Sequence, residues 1–153
     1  MSDRRPYVAV VGAGDATPEQ ERAAEAVGGG LAGAGAIVVN GGRGGVMAAA
    51  SRGAQQAGGT VVGLLPGSDR AAANEWVTIA LPTGLGELRN GLVVRAADVV
   101  VAVGGAYGTL SEIALALAAG VPVLGLASWP IDGVEPVDSA SQAVSRALEL
   151  ARG

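Results

Sequence analysis

Cysteine, histidine, lysine and phenylalanine are all missing from this chain of 153 residues. Without cysteine there is no disulfide framework, no thiolate nucleophile and no thiolate metal site. Without histidine there is no Ser-His-Asp triad and no imidazole base or ligand, so no metal site is expected. The ten basic residues are all arginine. That excludes Schiff-base chemistry, covalent anchoring of pyridoxal phosphate and a Walker A phosphate loop, each of which needs a lysine. Aromatic residues are confined to Tyr7, Trp76, Tyr107 and Trp129, and charged residues make up 16% of the chain. The formal net charge of −4 argues against nucleic acid as a partner. No apolar run reaches the roughly 20 residues of a membrane span, so no membrane partner is expected. The apolar stretch after Arg4-Arg5 is too short for a signal peptide and carries no cleavage region. It reads as a first strand, and a cytoplasmic location is expected.

What the chain has in abundance is small residues. Half of it is hydrophobic, mostly alanine and valine, and glycine occurs 26 times. Such side chains allow close backbone approach in a compact α/β core. The length suits one domain over 1–153, burying roughly 68–70% of its unfolded surface. Apolar β-branched runs predict strands at Tyr7–Val11, Ile37–Val39, Thr60–Leu65, Val77–Leu81, Val99–Val103 and Val121–Leu126. Helical patterns lie between them. One starts at Thr17-Pro18-Glu19-Gln20, with capping-box spacing and proline at the first helical position, and places Ala23, Val27 and Leu31 on one face. Others span Val46 to about Ala57, Gly86 to about Ala97, Leu110–Ala119 and Ser139–Arg152. Residues 68–75 read as a mobile polar loop and 127–138 as a loop carrying Trp129. This alternation predicts a Rossmann-like three-layer α/β/α sandwich on a mostly parallel sheet.

Ligands of such sheets bind outside the strands' carboxyl ends, and three glycine-rich turns fall there. Gly12 and Gly14 begin a dinucleotide fingerprint, but Thr17 stands where its third glycine belongs. Asn40 stands where the ribose-binding acid of a nicotinamide site would be, so a tight strand-to-helix turn explains this stretch better. In the second turn, Asn40-Gly41-Gly42-Arg43-Gly44-Gly45, glycines can aim backbone N–H groups at an anion while Arg43 adds a fork of donors. A sharp connection in a glycine-rich chain is the competing explanation. The third turn, Gly104-Gly105-Ala106-Tyr107-Gly108-Thr109, runs into Leu110-Ser111-Glu112. Thr109 and Ser111 can bond phosphate or sugar oxygens. Glu112 is expected near the helix start, ionised with help from the helix dipole and suited to stabilising a positive sugar-like transition state. It could equally serve only the helix start. Arg89 and Arg95, six residues apart, do not share a helix face, so one of them is expected to face a cleft.

These residues resemble a known superfamily. Arg89, followed after 23 residues by Glu112, and Gly105-Ala106-Tyr107-Gly108-Thr109 are similar to the signature of the "lonely guy" cytokinin-activating phosphoribohydrolases, a family also labelled lysine decarboxylase. The molybdenum-cofactor-carrier-like branch is closer still. Gly41 to Met47, the Arg89-Asn90 pair and Gly108 to Ala114 all resemble its segments. Gly104, Ala106, Ser111 and Asn90 depart from the enzyme pattern, and a decarboxylase lacking a lysine for pyridoxal phosphate is excluded on chemical grounds. The resemblance implies a carrier that holds a phosphorylated pterin, the molybdenum cofactor (molybdopterin), or a nucleotide, with no covalent cofactor. Gly12, Gly14, Gly41, Gly42, Arg43, Gly44, Gly45, Gly105, Ala106, Tyr107, Gly108 and Thr109 are the implied binding residues. Its alternative is a hydrolase of nucleoside 5′-monophosphates, with Arg89 and Glu112 catalytic. A homo-oligomer, at least a dimer, is expected from the leucines and isoleucine of the two helices around Leu92 and Ile113.

Overall fold

The computed structural model describes residues 4–153; the first three residues of the expected 1–153 domain lie outside the described residues. Among the described residues seven strands form one sheet: β1 (Tyr7–Gly12), β2 (Ile37–Asn40), β3 (Val61–Leu65), β4 (Ile79–Pro82), β5 (Val99–Val103), β6 (Val123–Leu126) and β7 (Val134–Val137). All pairings are parallel, in the order β4-β3-β2-β1-β5-β6-β7. Five α-helices cover it among the described residues: α1 (Pro18–Gly33), α2 (Val46–Gln56), α3 (Arg89–Arg95), α4 (Tyr107–Ala118) and α5 (Ala140–Arg152). This is the Rossmann-like three-layer arrangement the alternation predicts.

Strand composition explains the layers. β5 is buried at every position, as a strand with helices on both faces must be. Because side chains alternate along a strand, Val8 and Val10 join Val99, Val101 and Val103 in the core beneath α1, α2 and α5. Ala9 and Val11 join Val100 and Ala102 in the core beneath α3 and α4. On the first face α1 and α2 touch backbone to backbone. A Cβ at Gly28 would overlap the Ala50 carbonyl oxygen, and one at Gly53 would overlap that of Glu25. The small residues so frequent in the sequence make this contact possible.

The chain runs outward from β1 through β2 and β3 to β4, then returns to place β5 on β1's other side. The carboxyl ends of β1 and β5 therefore flank the point where strand order reverses, and a crevice opens there.

Three local expectations are corrected. Residues 134–137 form a strand, not loop, and pair with β6. Glu135 and Pro136 are exposed in this edge strand, where proline is tolerated and alternation is weak. Helix α4 starts at Tyr107, not Leu110, so the end of the third glycine-rich turn is helical. The segment 68–75, expected to be a mobile loop, contains a 3-10 turn at Arg70–Ala72 and is pinned to the second turn. There the Asn74 backbone N–H donates to the Gly42 carbonyl (2.8 Å) and its side-chain amide to the Arg43 carbonyl (2.9 Å). Among the described residues, no helix is long and apolar enough to cross a membrane.

Candidate functional site

The first turn lies flush against its neighbours. A Cβ at Gly12 would come within 2.6 Å of the Val46 side chain and 2.7 Å of the Val103 carbonyl oxygen. The second turn is fastened from inside. Asn40 is fully buried; its carbonyl oxygen accepts from the Gly42 N–H (2.8 Å), and its amide donates to Ser51 Oγ (2.9 Å) and the Met47 carbonyl (3.2 Å). The residue that stands in place of a ribose-binding acid thus holds the loop's shape. Gly45 then takes φ +63°, and a Cβ there would overlap the Ala13 carbonyl oxygen; only glycine meets both demands. The Val46 N–H donates to that same carbonyl (3.1 Å), locking the two turns together.

Helices α2 and α4 begin beside these turns, at Gly45 and Ala106, and neither residue has a side chain that can cap the helix. In α2 the Val46 N–H is already taken by the Ala13 carbonyl; the N–H groups after it, and those that open α4, have no side-chain cap. Between the turns lies a cleft of about 290 Å³. Gly12, Ala13 and Gly14 line it from the first turn, Met47 from α2 and Pro66 from the end of β3. Glu87 comes from the 3-10 turn at Gly86–Leu88, Arg89 and Asn90 from the start of α3, Ala106 from the cap position of α4, and Gly108, Thr109 and Glu112 from α4 itself.

Arg89 is held from three sides. Its Nε donates to the Leu64 carbonyl (2.9 Å), Nη1 donates to Asn90 Oδ1, and Gly41 leaves room for Nη2, which a Cβ would approach within 2.6 Å. Asn90 in turn donates to Ser111 Oγ (3.3 Å), and Ser111 to the Gly108 carbonyl (2.8 Å). A chain of hydrogen bonds so links the guanidinium to the start of α4. Burial draws Arg89 below the ordinary arginine value, with Glu112 opposing and Arg43 adding to it. Burial pushes the Glu112 carboxyl up to about 7, against the pull of Arg89. This corrects the expectation of a dipole-stabilised carboxylate. With α4 starting at Tyr107, Glu112 sits in the second turn, past the reach of the helix dipole. Desolvation therefore prevails.

Among the residues singled out in the sequence, Gly12, Gly14, Arg89, Ala106, Gly108, Thr109 and Glu112 meet in the cleft. Gly41 and Gly42 are buried beside it, and Gly44 and Gly45 pack on the first turn. Arg43 is exposed at the rim but near enough to act on Arg89. Gly105 and Tyr107 turn away toward Trp129. Thr109 is buried, its hydroxyl accepting from the Ala106 N–H (3.4 Å). Arg95 is exposed and Arg89 lines the cleft, so of the two arginines expected on different faces it is Arg89 that faces it. Sequence reasoning missed Met47 and Pro66 as lining residues; their place just past the ends of β2 and β3 was the available signal.

A parallel sheet that reverses between β1 and β5, with glycine-rich turns and two open helix starts at the reversal, defines a Rossmann-like α/β class. Residues 5–151 match the SLOG cluster4 family, and the chain belongs to it. An uncharacterized protein of Archaeoglobus fulgidus is 39% identical over 139 residues, 90% of this chain and 91% of that protein. The molybdenum cofactor binding protein of Rippkaea orientalis superposes with a TM-score of 0.92 at 34% identity, over 97% of this chain and 99% of that one. The molybdenum cofactor carrier protein of Chlamydomonas reinhardtii gives a TM-score of 0.88 at 34% identity, over 98% and 100%. The resemblance to the molybdenum-cofactor-carrier-like branch holds across nearly the full length. DNA processing protein A of Helicobacter pylori, at 20% identity and a TM-score of 0.74, shares the fold alone.

Proposed function

We propose that this chain, acting as one domain in the cytoplasm, binds and carries a phosphorylated pterin, the molybdenum cofactor. The observation that carries the reading is the near-complete superposition on a molybdenum cofactor binding protein. The cleft suits the ligand's phosphate. Two helix starts without side-chain caps present free N–H groups and the positive ends of their dipoles. Arg89 adds a fixed positive charge. Backbone N–H groups near 47–48 and 107–109 take the phosphate oxygens, and the absence of side chains at Gly12, Gly14 and Gly41 keeps the approach open. Glu112, partly protonated at neutral pH, donates to a ligand oxygen in its acid form. Hydrolysis of a nucleoside 5′-monophosphate by Arg89 and Glu112 is the alternative. It is less favoured, because the solved structures matched over nearly the full length at 34% identity include molybdenum cofactor binding and carrier proteins.

Titration calorimetry with the isolated cofactor, and with AMP and isopentenyl-AMP as comparators, tests this reading. Saturable cofactor binding with both nucleotides intact after hours is the expected result. Absence of binding at millimolar ligand overturns it. Nucleotide turnover that disappears in Glu112→Gln would overturn it in favour of the hydrolase.

The same proposal includes self-association. Leu88 and Leu92 on one side and Leu115 on the other are exposed on the outer surface of the α3/α4 layer, Leu88 by 78%. A second copy is the default cover for such a face. Light scattering should report twice the chain's 14.8 kDa, or a higher multiple. A single species at the chain's own mass would rule this out.

A further inference from the structure

Next to the cleft, on the far side of the loop that opens α4, lies a second hollow of about 260 Å³. Gly104 and Gly105 form one wall and the segment from Ala127 to Pro130 the other. Ala127 holds φ +51°, a left-handed conformation that costs a non-glycine residue free energy and clusters at functional sites. Ser128 Oγ is buried without a hydrogen-bond partner, and an unpaired buried hydroxyl is unfavourable unless something else completes it. Trp129 Nε1 donates to the Ala106 carbonyl (3.2 Å). The Trp129 and Tyr107 rings lie 25° from parallel with centroids 6.3 Å apart. Tyr107 is 81% exposed, while Trp129 is half-buried against the core beneath α3 and α4, so the pair presents an aromatic face on a fixed base. Gly105 is tailored to it, since a Cβ there would come within 2.9 Å of Trp129 Nε1.

Position relates the hollow to the cleft. The cleft sits at the ends of β1 and β5, the hollow at the ends of β5 and β6, and neighbouring strands are about 4.8 Å apart. One loop borders both, Gly104 and Gly105 on the hollow and Ala106 and Gly108 on the cleft. At about 290 and 260 Å³ both spaces are small for a whole ligand. Each suits one part of a molecule with a charged end and a flat end.

We propose that Trp129, Tyr107 and Ser128 form the subsite for the planar heteroaromatic ring of the ligand whose phosphate occupies the cleft. The ring stacks on the Trp129–Tyr107 surface, and Ser128 Oγ bonds a polar atom on its edge. Stacking accepts any flat heterocycle, so the hydroxyl supplies the selectivity for a hydrogen-bonding edge such as that of a pterin over a plain hydrocarbon. The inference rests on the carrier reading above, but its test separates the two parts.

Two probes are titrated apart: free pterin, which has no phosphate, and inorganic phosphate. The wild type should bind both, with pterin quenching tryptophan emission. Trp129→Leu should weaken pterin about tenfold or more, the scale of one stacked ring, while phosphate affinity stays within about twofold. Trp129→Phe should restore most of the pterin affinity, and Ser128→Ala should weaken pterin with the fold intact by circular dichroism. Failure of pterin to bind the wild type overturns the subsite. So does equal pterin binding by wild type and Trp129→Leu. Loss of both probes in Trp129→Leu while its circular dichroism is unchanged overturns it too, because the tryptophan would then serve the loop and not the ring. Failure of the carrier reading looks different: the intact cofactor does not bind even where pterin and phosphate do.

Discussion

The two faces of the sheet are built to opposite ends. On the face of α1, α2 and α5, helix starts are closed by their own side chains. Thr17 accepts from the Gln20 N–H (3.1 Å) and Gln20 answers on the Thr17 N–H (3.0 Å), while Ser139 accepts from the Gln142 N–H (3.1 Å). On that face α1 and α2 also meet with no space between their backbones. The face of α3 and α4 is thinner. It exposes leucines, buries Asn90, Thr109 and Glu112, and starts α4 without a cap. One helix breaks this division: α2 belongs to the tight face yet also starts uncapped, because its first turn borders the cleft. Nearness to the strand reversal does not decide the matter either, since α1 starts beside Gly104 at the end of β5 and is capped.

The largest expected effect tests the tight face. Gly53→Ala puts a Cβ onto the Glu25 carbonyl oxygen and should destabilise the protein by about 3 kcal/mol, read as a fall in the urea midpoint with unchanged slope. A cost below about 1 kcal/mol would show that the helices separate easily.

The next effect belongs to the α3/α4 face and depends on pH. The folded-state value for Glu112, about 7, lies above its ordinary 4.5. Between those values the unfolded chain releases the proton while the folded one keeps it. Stability should therefore be fully present below about pH 4.5, decline as pH rises to about 7, and level off above. The total loss is about 3 kcal/mol at most. Urea unfolding at a series of pH values should show this slope in the wild type and lose it in Glu112→Gln. The same slope in both proteins would assign it to other groups.

A smaller effect probes the caps directly. Ala106→Asp supplies α4 with its own acceptor and should stabilise the fold by about 1 kcal/mol. It should also weaken any phosphate-bearing ligand about tenfold by occupying those N–H groups with a like charge. Thr17→Ala should cost about 1 kcal/mol and leave ligand affinity alone. If Ala106→Asp binds phosphate as well as the wild type, the open helix start is not the anion site.

The smallest effect has the opposite sign to the first. Gly91 lies in α3 with nothing within 4 Å of where a Cβ would stand, so Gly91→Ala should stabilise by about 0.8 kcal/mol. A loss of stability in thermal melts would mean that the thin face is as tightly packed as the other.

Much of the fold was legible because its signals are local. Val99–Val103 reads as a buried strand from its own five residues, and Thr17 to Gln20 announces a helix start from their spacing. The elements misread are those whose local signal is weak. Val134–Val137 has only the edge of β6 to make it a strand, with a proline inside it. Residues 107–109 read as turn because Gly105 and Gly108 dominate the stretch, yet they form the first turn of α4. In the site, Arg89, Glu112 and the glycines of the first and third turns stand out by type and spacing. Asn40, Met47 and Pro66 do not, because nothing in their identity distinguishes a residue that shapes or lines a cleft from one that simply ends a strand.

The sequence by itself determined the α/β class, the parallel sheet and the placing of glycine-rich turns at strand carboxyl ends. These follow from hydrophobic period, chain handedness and backbone sterics, all of which act over a few residues. It also excluded, by composition alone, every chemistry that needs a cysteine thiol, a histidine imidazole or a lysine amine. Only the tertiary structure decided that α1 and α2 touch through Gly28 and Gly53, that Asn40 fastens the second turn, and that Glu112 is held near 7. Each of these depends on what a residue distant in the chain brings close, and on how much water the packing removes. Desolvation and contact are properties of the assembled fold, and no stretch of sequence contains them.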